Sequence, residues 1–474
     1  MRSAFLFLFV FWILNGLGSV VSGQEVWTLD RCLDHALKHN LDLRLQVLAE
    51  GEAAVDVKQG YGNLVPSLGA HSQQGYNYGR TVDRFTNEFV TERVFLHNLY
   101  AGSEMVLFSG FQNINQIRYY NANRSALRFD TQKLKNDIVL AVSGAYLQIL
   151  YYYDVLEVAE AQLGLVTQQL GRTRVLYEGG KLAQGALLEM EAQVARERTL
   201  VQQAKNNLRL SELELIHLLQ LAPDEPFTLE RPVLEVNPTQ LIHDSGQVFE
   251  KALGHEPSIQ AAAERIAMAG NNLAIARGAY SPRLVLSANL GTGYSGAALD
   301  MVDVIETGTY QTIGFTQSNE PVFQHVKQAV YEQKPYRDQL RDNYNTQFSL
   351  SLSIPILNRF QTRNRVSRAR IQLEGARVQL EQARYRLHQT VQQAHADALA
   401  AYETYKANDK SLQAFEQAFR YAEQRFSLGV VSSIEYNEAR TNLAQARAEA
   451  LQAKYKYIYK LKILEFYSGD GFSL

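Results

Sequence analysis

Cysteine, proline and any excess of one charge are scarce in this sequence. A single cysteine, Cys32, in 474 residues excludes a disulfide scaffold and a cysteine-based zinc site. The 47 Lys and Arg nearly balance the 49 Asp and Glu, so no strong field draws the chain to nucleic acid. Among the ten histidines no H-E-x-x-H spacing occurs, and neither a phosphate loop nor a nucleophile elbow is found. The chain therefore reads as neither an enzyme nor a metal- or cofactor-binding protein. Ten prolines are unevenly placed: there is none from Ser67 to Ala222, and none from Ile356 to the end. Both stretches can hold long unbroken helices.

What is present begins with an export signal. Met1-Arg2 precedes an almost wholly apolar run from Ala4 to Leu14, and small residues follow through Val21-Ser22-Gly23. This pattern predicts a signal peptide over 1–23, cleaved before Gln24. The apolar run is too short for a membrane anchor, which needs about 20 residues. Cys32 follows Leu29-Asp30-Arg31, which is no lipoprotein signal, and it reads as a small apolar packing residue. Past Gln24 no window of transmembrane-helix length is apparent, so membrane insertion would have to use strands.

The remainder is a tandem repeat. An offset of 216 carries Ala36-Leu37 onto Ala252-Leu253, His39 onto His255, Gly62 onto Gly278, Pro66 onto Pro282 and Tyr78 onto Tyr294. Farther on, an offset of 249 carries Phe111-Gln112 onto Phe360-Gln361, Gly180 onto Gly429, Glu189 onto Glu438 and Gln203-Ala204-Lys205 onto Gln452-Ala453-Lys454. The difference between the offsets is a 33-residue insertion between Tyr294 and Tyr344, containing Asp300, Asp303, Glu306 and Glu320. It is expected to enlarge an extracellular loop. Repeat 1 spans 24–221, a proline-rich linker 222–245, repeat 2 246–466 and a tail 467–474.

Each repeat reads helix, strand, strand, long helix, helix. In repeat 1 these are 29–62, 65–78, 96–109, 111–178 and 182–221; in repeat 2 they are 247–280, 283–294, 344–357, 360–428 and 431–466. The strands alternate. Leu284, Leu286, Ala288 and Leu290 interleave with Arg283, Ser287 and Asn289, and Phe348, Leu350 and Leu352 interleave with Gln347, Ser349 and Ser351. Alternation over about ten residues with tyrosine at the segment ends is the pattern of transmembrane β-barrel strands. The long helices, roughly 100 Å each, suit a rod or tube, with the shorter helices stacked end to end beside them. Four strands cannot close a barrel in lipid, so several chains must share one. Three chains would give twelve strands, and the arithmetic also allows two or four.

The chain resembles the TolC family of outer-membrane efflux proteins over essentially its whole mature length. The resemblance rests on the opening Leu29-Asp30-x-x-Leu33-x-x-Ala36-Leu37-x-x-Asn40, on Pro66 and Pro282 before the strands, and on two glycine turns with their flanks, Arg174-Val175-Leu176-Tyr177-Glu178-Gly179-Gly180 and Arg425-Phe426-Ser427-Leu428-Gly429-Val430-Val431-Ser432. It implies a mainly α fold: a homotrimeric α-helical tube in the periplasm, continued by a twelve-stranded β-barrel in outer-membrane lipid. It also implies a periplasmic adaptor, an inner-membrane pump of the RND or ABC type, and export of drugs, metals or proteins. By this likeness the tips at Gly180, Leu182, Gly429 and Val430 dock the adaptor.

Glu435 and Glu438, three residues apart, share a helix face. On spacing alone they form either a solvated face or, in a narrowing symmetric tube, stacked carboxylate rings. The resemblance places them, with the repeat-related Glu189, at an acidic constriction. The chain departs from the family at the tips, where Val431, Phe426 and Ala186 replace an Arg, a Tyr and an Asp of its gate latch. A closed state would have to rest on packing or other contacts. Arg359, Arg363, Arg365, Arg368 and Arg370 form a basic run that reads as a solvated surface or as an anion-attracting ring in the lumen. The competing reading for the whole chain is a non-conducting periplasmic coiled-coil scaffold, which needs no lipid-facing strands. Lysine at Leu350 or Leu352 should therefore impair assembly in the outer membrane, at about 2–4 kcal/mol per site, far more than lysine at Ser351. Membrane fractionation of the three variants checks this.

Overall fold

The structure is a computed structural model that describes residues 26–83, 87–91, 93–222, 227–232, 234, 244–428, 430–469 and 471–472. The expected signal peptide, most of the 222–245 linker and Gly429 lie outside these residues. Two compact units are present: 53–123 with 266–375, which holds every strand, and the remainder, which is helical.

In the first half α1 (Leu29–His39) and α2 (Leu41–Gly62) precede β1 (Ser67–Asn77), the short β2 (Thr81–Val82) and β3 (Phe89–Val90), and β4 (Val94–Phe108). The helices α3 (Gln112–Glu178) and α4 (Gln184–Leu219) follow. The second half runs α5 (Ser245–His255), α6 (Pro257–Gly278), β5 (Arg283–Ser295), β6 (Leu299–Phe315), β7 (Pro321–Gln333), α7 (Tyr336–Asp342), β8 (Asn345–Ser353), α8 (Gln361–Ser427) and α9 (Ser433–Ser468). Corresponding helices are equal in length: 11 residues for α1 and α5, 22 for α2 and α6, 67 for α3 and α8, and 36 for α4 and α9.

The single helices expected over 29–62 and 247–280 are each broken in two. Asn40 leaves the helical conformation, and its side chain accepts from the Leu43 amide at 2.9 Å, capping α2. At the equivalent Glu256 the break follows from Pro257, which takes the first position of α6 and holds the preceding residue extended. The strand expected over 344–357 stops at Ser353, because Pro355 has no amide for the ladder. An 18-residue apolar window within α3 does reach membrane-spanning hydropathy, contrary to the expectation that none exists. Ile138, Val142, Tyr146, Ile149 and Leu150 of this helix are buried in a helical core, which explains its apolar character without a membrane.

Two cores hold the helical unit, built from corresponding residues. Cys32, Ala36, Leu43, Ile138, Val142, Ala145, Ile149 and Leu215 pack in the first; Val248, Ala252, Ile259, Leu387, Val391, Ala394, Ala398 and Leu464 pack in the second. The two offsets read from the sequence relate every pair. Cys32 is fully buried, and burial pushes its thiol up to about 12, so it acts as an apolar residue rather than a nucleophile. Helix starts correspond as well: Thr28 accepts from the Arg31 amide at 3.1 Å, and Asp244 from the Gly246 amide at 3.0 Å.

The strand unit centres on one antiparallel sheet in the order β1-β4-β5-β8. Its register brings the sequence alternation into rows. Met105, Leu286 and Leu350 lie side by side, as do Leu68, Ser103, Ala288 and Phe348. The neighbouring row, on the other face, is Ser67, Glu104, Ser287 and Ser349. One face is thus predominantly apolar and the other polar across all four strands. Apolar-face residues are exposed, Leu68 at 82% and Phe348 at 76%. The insertion forms a second hairpin, β6 with β7, and the short α7, whose Gln339 bonds to both backbone groups of Ser295.

Where β4 turns into α3, two glycines touch. Gly110 has φ +63°, and a Cβ on it would collide with the Gly278 carbonyl and with Ser281. A Cβ on Gly278 would lie 2.6 Å from the Gly110 oxygen and from Gln112. Gly62, the counterpart of Gly278, meets only the Gln59 amide nitrogen at 3.7 Å. Thermal unfolding should show Gly278→Ala costing about 1–3 kcal/mol through overpacking, with Gly62→Ala within about 0.5 kcal/mol of the parent.

Candidate functional site at the helix-hairpin tips

Both helical hairpins close in the same way. After α3, Gly180 takes φ +72° and the Lys181 amide reaches back to the Leu176 carbonyl at 2.8 Å. After α8 the Val430 amide bonds to the Arg425 carbonyl at 2.9 Å. A bond back over five residues is the Schellman closure of a helix end, and it needs a left-handed residue. Gly180 meets that need in the first tip; Gly429 lies outside the described residues. Around the turns Leu182, Leu428, Val430 and Ile434 are exposed apolar side chains.

Of the three glutamates expected at a constriction, Glu189 and Glu438 line one groove between α4 and α9, of about 830 Å³, with Gln193, Arg196 and Glu197. Glu435 lines a neighbouring concavity of about 320 Å³ beside Tyr421 and Arg425, which Glu438 also borders. Glu438 is therefore the residue common to both. Glu435 sits in the first turn of α9, where Ser432 accepts from its amide at 3.3 Å, and its charge complements the positive end of the helix. No group of three or more His, Cys, Asp or Glu is placed to hold a metal among the described residues.

Local sequence reasoning missed a network behind these grooves. Gln169 of α3 donates to the Tyr436 hydroxyl at 2.9 Å and accepts from Arg440 Nη1 at 3.0 Å. Phe426 stacks on Tyr436 with centroids 4.7 Å apart. Arg440 is only 4% exposed, and its Nε and Nη2 have no hydrogen-bond partner among the described residues. Burial holds its guanidinium below the ordinary value and raises Tyr436. These side chains tie α3, α8 and α9 together, Phe426 being one of the positions at which the chain departs from the expected latch. The available signal was the Tyr436–Arg440 spacing of one helical turn; the partner Gln169 is remote in sequence.

Residues 248–470 match the family described as outer membrane efflux protein. Over that second half the chain is similar to this family. It is 23% identical over 381 residues to the outer membrane efflux protein BepC of Brucella suis, covering 76% of this chain and 77% of that protein. It is 24% identical over 205 residues to the pyoverdine export outer membrane protein OpmQ of Pseudomonas putida, an alignment spanning 43% of each. Its fold is that of the outer membrane protein VceC of Vibrio cholerae, with a TM-score of 0.73 at 16% identity, over 94% of this chain and 97% of that one. The chain is thus mainly helical and similar, in sequence and in fold, to outer-membrane efflux proteins.

The unpaired nitrogens of Arg440 give opposite expectations for two substitutions in this network. Arg440→Met removes a desolvated charge and should leave stability within about 1 kcal/mol of the parent, or raise it. Gln169→Leu strips the last hydrogen-bond partner from the buried guanidinium and should cost about 1–3 kcal/mol. Denaturant midpoints of the two variants give the comparison.

Proposed function

We propose that three copies of this efflux protein close one twelve-stranded barrel and act as the passive exit duct of a tripartite efflux or type I secretion system. The observation that carries the reading is the sheet with one exposed apolar face and with β1 and β8 each paired on one side only. In hydrocarbon those edges must be paired, and four strands are too few to close on themselves. Antiparallel order lets β8 of one copy receive β1 of the next. A non-conducting scaffold has no use for such a face. The family resemblance favours three copies over two or four, and the equal helix lengths of the two halves support an internal duplication.

In this reading the chain performs no chemistry and needs no cofactor. An inner-membrane pump of the RND or ABC type supplies the energy, and a periplasmic adaptor seals onto the tips. Gly180 and Gly429 turn the hairpins there, while Leu182 and Val430 offer apolar contact. The Phe426–Tyr436 stack and the Gln169 bonds take the place of the missing latch in holding the tips closed. Glu438, with Glu435 and Glu189 to either side, sets an acidic constriction repeated in each copy. Rings of like charge in a pore select for counter-ions.

Planar-bilayer recordings test the constriction. In a salt gradient the parent should prefer cations, and the double variant E435Q/E438Q should lose that preference several-fold with the barrel still inserted. Unchanged selectivity would remove these glutamates from the conducting path.

A further inference from the structure

The basic run at the start of α8 has a setting that a solvated surface does not explain. Past Ser353 the chain continues into Ile356 and Leu357, exposed at 95% and 81%, and then Phe360, also exposed. Arg359 and Phe360 both hold left-handed backbone, at φ 51° and 60°, a conformation unfavourable for bulky residues and retained at functional positions. Arg363 stands one helical turn beyond Phe360, and Arg370 two turns beyond Arg363 on the same side; both are exposed. No acidic residue lies in the sequence between Asp342 and Glu374, the latter standing one turn beyond Arg370.

The first half repeats the arrangement in weaker form. Phe111 is left-handed at φ 60° and exposed, Arg118 lies exposed two turns on, and no acidic residue occurs between Glu104 and Asp130. An apolar collar followed within two turns by arginine, with no acidic residue in the intervening sequence, is the arrangement expected at a membrane interface. There the apolar side chains enter hydrocarbon while guanidinium groups reach the headgroup phosphates, which they bind in two-pronged fashion.

We infer that Arg359, Arg363 and Arg370 form a binding surface for anionic phospholipid headgroups, in the leaflet on the helix side of the barrel, with Ile356, Leu357 and Phe360 seated in its acyl chains. The surface is selective for charge because three cations act together with no carboxylate between them. A lumen-facing arginine ring would need no exposed apolar residues beside it. The inference rests on the membrane reading of the sheet, and the two can fail separately.

The full-length protein, inserted into vesicles of phosphatidylcholine with or without phosphatidylglycerol, is extracted and its retained lipids are counted by native mass spectrometry. The parent should retain phosphatidylglycerol preferentially. R363Q should weaken that retention roughly five-fold, from about 1 kcal/mol per interfacial charge, and R359Q/R363Q/R370Q should abolish it. R365Q/R368Q, on other sides of the helix, should keep most of it. Equal retention of both lipids by the parent, or equal loss in the two multiple variants, would overturn the inference. So would intact retention in the triple variant accompanied by altered ion selectivity, which would place the arginines in the lumen. A parent that inserts into neither vesicle would overturn the barrel reading itself, and this surface with it.

Discussion

Backbone amides in hydrocarbon have no water to pair with, and this one constraint organises the strand half of the molecule. β1-β4-β5-β8 is a complete antiparallel ladder with two unpaired edges and an apolar face turned outward. Left alone in water, the apolar face and open edges would invite aggregation. Placed in lipid, the face is satisfied while the edges still are not. In the proposed assembly another copy supplies the missing neighbour on each side, which meets both demands.

The helical half meets a different demand. Helices of 67 residues cannot be held by one compact core, and the structure distributes their support over separate clusters. The first core is the richer, with Trp27, Tyr146 and Leu229 added to the common positions, and Tyr146 donating to the Glu230 carbonyl at 2.9 Å. The second has Ala398 where the first has Ile149, and Val248 where the first has Cys32. The two halves differ in packing while matching in element length, as the proposed tube would require of both.

Much of this was legible in the sequence because the decisive signals are local. Alternation marks the sheet strands, glycine marks the hairpin turns, and missing proline marks the long helices. Register turned alternation into faces: Leu68 and Phe348 fall on one side because β1, β4, β5 and β8 align without a slip in that row. The illegible parts are those set by side-chain choices or distant partners. Asn40 can sit within a helix or cap one, and only the structure shows it capping. The 33-residue insertion carried no clean alternation, since its hairpin slips register around Met301, Glu306 and Thr312. Arg440 is an unremarkable helix residue until Gln169, 271 positions away, becomes its partner. At the tips, Glu189 and Glu438 could be paired from the repeat, but their shared groove could not be foreseen.

Closure of one barrel by three copies is the central claim, and imaging tests it most directly. Single particles of the detergent-extracted protein, averaged in projection down the barrel axis, should show threefold symmetry around an open centre. The wall should account for twelve strands, four from each chain. A monomeric particle, a solid rod, or a ring of two or four copies would contradict it.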